Sequence, residues 1–169
     1  MPLLVFIYVA FQLLTVAYID VKSKKISNSW AIANIFLYAA LVFLLPTYYK
    51  FSFDTFVWPI GFFVAGFLLF IVKVMGGGDS KYLASFYLLI PVQFHEEAFM
   101  SLAVATLFVG GSVFIKNIMK NSDLIVLAWK EKNAVHIRNV FGKKFSFAPV
   151  IFISWMWFGW TIKDSLIFF

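Results

Sequence analysis

Long, nearly uninterrupted apolar runs constrain this chain more than any other feature. Six of them approach the roughly 20 residues that a helix needs to cross a bilayer. They fall at about Pro2 to Ile19, Trp30 to Tyr48, Thr55 to Met75, Tyr82 to Phe94, Ala98 to Ile115 and Phe147 to Ile162. Across the 169 residues 63% are hydrophobic and 13% are charged, whereas a soluble domain carries about 25% charged residues. A core of this size could not hide that many apolar side chains, so the solvent must be lipid. The runs are continuous rather than alternating, which disfavours a transmembrane barrel. The expected fold is an all-α polytopic membrane protein with about six spans, forming one domain over residues 1–169.

Charge sets the expected topology. Of the 14 basic residues, twelve lie in alternate loops. Lys22, Lys24 and Lys25 follow the first span, and Lys73 and Lys81 flank the third and fourth. Lys116, Lys120, Lys130, Lys132, Arg138, Lys143 and Lys144 fill the long loop before the last span. Basic loops stay in the cytoplasm, so both termini are expected outside and these loops inside. The net charge of +6 then reads as contact with anionic lipid rather than with nucleic acid. Within the long loop, Leu124 to Trp129 is too short to span and is expected to lie in the interface, or to serve as a gate or substrate-docking element. The tryptophans, including the Trp155, Trp157 and Trp160 group, are expected in the interfacial belt. The amino-terminal run lacks the basic leading region and small-residue cleavage pattern of a signal peptide, and reads as the first membrane helix.

The chain has no cysteine, which leaves no disulfide, thiol nucleophile or cysteine metal site, and its two histidines fall in different loops. His95, Glu96 and Glu97 form an outer-loop cluster, read as solvated, with a weak divalent-ion site as the alternative. Neither a metal nor a cofactor is expected.

Of eight acidic residues, Asp20 and Asp79 sit at the ends of spans. Two spans separate them, so they share a membrane face whichever way the protein is inserted. Asp79 follows three glycines, in a segment where helix-poor residues are unexpected. The fourth run is only thirteen residues, roughly 20 Å of helix against a hydrocarbon core of about 30 Å. A helix that starts earlier would draw the glycines and Asp79 to membrane depth. The glycines would there permit close approach or positive φ. Two carboxylates in a wet cavity suit aspartic peptidase chemistry, in which one shared proton divides the roles of base and acid. The alternative is that both aspartates cap helix ends.

The segment Gly76 to Lys81, GGGDSK, resembles the GxGD motif of intramembrane aspartyl proteases, in the form found in type IV prepilin peptidases. Asp20 to Asn28, DVKSKKISN, resembles that family's first motif, with Ser27 where proline is usual. FSFAPVI, with Phe147 and Pro149, resembles the segment that opens its last helix; Ser146 and Ala148 depart from it, as does Tyr82 beside the second motif. The resemblance implies Asp20 and Asp79 as the catalytic pair, supported by Gly76, Gly78, Lys81, Asn28 and Pro149. It implies endopeptidase cleavage of prepilin or pseudopilin leaders at the cytoplasmic face of the bacterial inner membrane. The missing cysteine motifs, and a start directly at the first span, resemble the short form of Flp (tight-adherence) pilus systems, without methyltransferase activity. A small proton- or cation-coupled transporter and a non-catalytic pilus or secretion assembly subunit are the competing readings.

Overall fold

The computed structural model describes residues 1–71, 75–120 and 146–167. Lys73, the interfacial run at 124–129 and most of the basic loop lie outside the described residues. What is described is helical: α1 Leu3–Ser23, α2 Asn28–Leu44, α3 Phe53–Ile71, α4 Gly77–Tyr87, α5 His95–Ala105, α6 Gly111–Lys120 and α7 Ala148–Thr161. A π-helical segment, Thr106–Gly110, joins α5 to α6. The described residues therefore form six helical rods, as the apolar runs require. The only ladder-type contact among them is an isolated bridge between Pro2 and Ile167. It brings the start of α1 and the end of α7 to one end of the bundle.

Leu3–Ser23, Phe53–Ile71 and Val92–Lys120 have the length and apolarity to cross a bilayer, and α2 is a shorter apolar helix. The outside is hydrophobic: Phe36, Phe43, Phe67, Leu107 and Trp160 are all exposed. Such a surface is a liability in water and ordinary against hydrocarbon. The protein is a membrane protein built from apolar helices.

The short fourth run behaves differently from a free-standing span. Its helix begins at Gly77, five residues before the expected Tyr82, and ends at Tyr87. At 11 residues it is only about 16 Å long, and almost all of it is buried against α2 and α3. Small residues allow this. A Cβ built on Gly66 of α3 would stand 2.6 Å from the Ser80 Cβ of α4, so the two backbones approach as closely as side chains permit. Elsewhere α1 packs on α7, with Phe6 stacked on Trp155 at 4.9 Å, and α5 packs on α7.

Two residues depart from the sequence expectation. His95 is no solvated loop residue: it is 1% exposed and opens α5. Its Nε2 lies 2.9 Å from the Ile90 carbonyl and 3.2 Å from that of Tyr87. Both partners only accept, so Nε2 carries the proton. This bond, with Pro91 following, closes the end of α4. No group of three or more metal-ligating side chains occurs among the described residues. Trp155 likewise leaves the expected interfacial belt: it is buried and donates to the Phe6 carbonyl at 3.2 Å. Trp157 and Trp160 stay exposed, as the belt requires.

Candidate active site

Asp20 stands in the last turn of α1 and is 2% exposed. Its Oδ2 accepts the Ala148 N–H at 3.2 Å. Ala148 is the first residue of α7, where backbone N–H groups lack intrahelical partners and the dipole favours an anion. The carboxylate of one helix therefore caps another. Pro149 comes next, half-buried in the first turn of α7, where its missing N–H leaves nothing unpaired.

The turn after α1 is fixed by its own cap. Lys24 adopts φ 55° and donates its N–H to the Asp20 carbonyl at 2.8 Å, ending the helix. The Lys24 ammonium donates to Ser146 Oγ at 2.6 Å, and Ser146 Oγ lies 3.3 Å from the same Asp20 carbonyl. Ser146, a departure from the family pattern, thus ties the first motif to the last. Ser27, the other departure, caps α2 by accepting the Ser29 N–H at 3.3 Å.

Asp79 is the third residue of α4 and is 7% exposed. Its Oδ2 accepts the Gly76 N–H at 3.1 Å, one half of a capping box. The sequence left open whether the aspartates cap helices or do chemistry. Both cap: Asp20 accepts the Ala148 N–H at the start of α7, and Asp79 accepts the Gly76 N–H at the start of its own helix.

The glycines now have separate reasons. None of the described glycines takes positive φ, so the expected backbone freedom goes unused. Close approach is what they supply. A Cβ on Gly78 would collide with the backbone carbonyl oxygen of Ile26. A Cβ on Gly76 would lie 2.8 Å from Asp79 Oδ2. Gly78 therefore lets the start of α4 dock on the loop that follows Asp20, and Gly76 leaves room for the Asp79 carboxylate.

A cavity of about 600 Å³ opens beside Asp79, walled by Gly66, Met75, Leu83, Phe99, Leu102 and Phe147 among others. Phe147 immediately precedes Ala148, whose N–H holds Asp20. Asp20 thus holds the N–H of Ala148, Asp79 and Phe147 line one cavity, and the loops of the two aspartates touch at Gly78 and Ile26. Asn28 and Lys81 are also brought together, but elsewhere: both line a separate cavity between α2, α3 and α4.

Sequence reasoning missed a buried polar chain that runs between α1, α2 and α4. Gln12 Nε2 donates to Asn34 Oδ1 at 2.6 Å, and Asn34 Nδ2 donates to Ser85 Oγ at 3.1 Å. Asn34 is 0% exposed. The chain ties α1, which carries Asp20, through α2 to α4, which carries Asp79. Isolated amides inside apolar runs were the available signal.

The family model of the type IV leader peptidase family matches residues 7–115, which take in both aspartates. No curated protein and no solved structure gives a match.

Proposed function

The chain belongs to the type IV leader peptidase family, and from that membership we propose that it is a membrane-embedded aspartic endopeptidase using Asp20 and Asp79. The family implies a protease whose substrate is a prepilin. One observation chiefly supports the aspartic reading: of two buried carboxylates from separate motifs, one accepts the Ala148 N–H and the other lines a cavity that the adjacent Phe147 also lines.

In the proposed cycle the pair shares one proton. The ionised carboxylate takes a proton from water as its oxygen attacks the peptide carbonyl carbon. The protonated carboxyl hydrogen-bonds the carbonyl oxygen and stabilises the tetrahedral intermediate. Proton return to the amine nitrogen accompanies cleavage of the C–N bond. The Ala148 N–H and the Gly76 N–H each hold one carboxylate oxygen and so restrict the rotamers of the two side chains. Gly76, Gly78 and Pro149 act through the backbone shape that places the carboxylates. Asn28 and Lys81 support the motif loops from the other side of α4. The cycle needs no cofactor.

The charge distribution supports a cytoplasmic site in a bacterial inner membrane, with prepilin leaders cut at that face. The cysteine-free sequence supports the short, Flp-type form without methyl transfer. The test is incubation of the purified chain in liposomes with a Flp-type prepilin and S-adenosylmethionine, read by mass spectrometry. Leader loss without a methyl mass shift is expected. An intact prepilin contradicts the substrate assignment, and a methylated product contradicts the single-activity form.

A further inference from the structure

Between α2, α3 and α4 lies the second cavity, about 500 Å³, which holds neither aspartate in its walls. Its lining repeats at helical spacing on all three helices: Asn28, Ile32 and Ile35 on α2, Phe56, Ile60 and Phe63 on α3, and Lys81 and Leu88 on α4. Two contacts set the heights of these residues. The Asn34–Ser85 hydrogen bond levels α2 with α4, and the Gly66–Ser80 approach levels α3 with α4. Asn28, Lys81 and Phe63 then stand at the end that carries the aspartates. Ile35, Phe56 and Leu88 stand roughly 10 Å farther in.

The cavity therefore has a polar, cationic mouth and an apolar bore. Lys81 is exposed there, and among the described residues no acidic side chain pairs with it. Ile32, Ile35, Ile60 and Phe63 are about half exposed, on the outer face of a membrane protein. The matching ligand is an amphiphile with an anionic head and a hydrocarbon tail, and the bilayer around this chain supplies one.

We propose that this cleft is a binding site for an anionic phospholipid. Its phosphate lies against Lys81 and the Asn28 amide, and an acyl chain lies along Ile32, Ile35, Ile60 and Phe63. Basic pockets between membrane helices hold such headgroups. A hydrophobic peptide carrying a carboxylate would suit the same chemistry, but an occupant of this cleft is not presented to Asp79, which lines the other cavity. A bound lipid would brace the junction of the two motifs, because Lys81 is two residues from Asp79 and Asn28 two from Ile26. The site itself does not depend on the peptidase reading.

The test is retention of lipid by the full chain, purified in detergent with equal phosphatidylglycerol and phosphatidylcholine and read by native mass spectrometry. Wild type is expected to retain phosphatidylglycerol preferentially. Lys81→Gln is expected to lower that preference about fivefold, the share of one basic side chain at an anionic surface, and Lys81→Arg to restore it. Ile60→Trp, which fills the bore, is expected to lower retention of both lipids. Lys22→Gln, on an exposed turn of α1 outside the cleft, is expected to change nothing. A wild type with no preference, or a preference that Lys81→Gln leaves intact, overturns the proposal. So does an equal loss in Lys22→Gln, which would mean diffuse surface charge, or displacement of the lipid by an acidic hydrophobic peptide alone.

Discussion

At the scale of single residues, Gly78 carries the sharpest demand. The atom that a Cβ there would strike is the Ile26 carbonyl oxygen, part of the backbone and unable to swing aside. Gly78→Ala must therefore separate the start of α4 from the Asp20 loop. The expected result is a loss of about 1 to 3 kcal/mol from overpacking, together with loss of leader cleavage. Thermal unfolding in detergent and a cleavage assay on the same preparation would measure both. An alanine variant with wild-type stability and rate would show that the contact is dispensable. The sequence made a need for glycine visible, since three in a row before a carboxylate have no use in an ordinary span. It could not say which need, because the partner atom belongs to a loop fifty residues earlier. His95 shows the converse: its neighbours Glu96 and Glu97 made it read as solvated, whereas its partners are carbonyls at the end of α4 that only the folded turn brings near.

At the scale of elements, α4 decides how the two motifs meet. Its thirteen-residue apolar run was already too short for a bilayer, and the helix does start earlier, at Gly77, so that it takes in Asp79. Its exact start was not legible, because glycines at 76–78 are poor helix formers that only tertiary packing holds helical. The Gln12–Asn34–Ser85 chain was not legible as a unit, because its members lie 22 and 51 residues apart. Each is a lone polar group in an apolar run, where a partner is the rule. Asn34→Leu removes the link between α1 and α4. We expect a loss of about 1 kcal/mol, the scale of interhelical hydrogen bonds in membranes, and a fall in kcat with KM nearly unchanged, since α2 does not line the cavity beside Asp79. Asn34→Gln should recover part of the rate. Equal kcat in Asn34→Leu and wild type would reduce the chain to a dispensable contact.

At the scale of the whole molecule, the apolar runs and the parity of the spans made most of the architecture readable. Continuous runs can only be helices in lipid, and two intervening spans return the chain to the face it left. What pattern could not supply was how the third motif meets the first. Phe147 and Ala148 close the site from the far end of the chain, through a cap in which an N–H of α7 holds the carboxylate of α1. The bundle's central claim is that Asp20 and Asp79 act as one catalytic pair. The most direct measurement compares leader cleavage of a co-expressed prepilin by wild type, Asp20→Asn and Asp79→Asn at matched membrane levels. Asparagine keeps an oxygen for the Ala148 and Gly76 N–H groups, so both variants should fold, yet neither can exchange the proton. Each substitution alone is expected to lower the rate by about 10²-fold or more, the scale of lost general acid–base catalysis. Cleavage at the wild-type rate in either variant would contradict it.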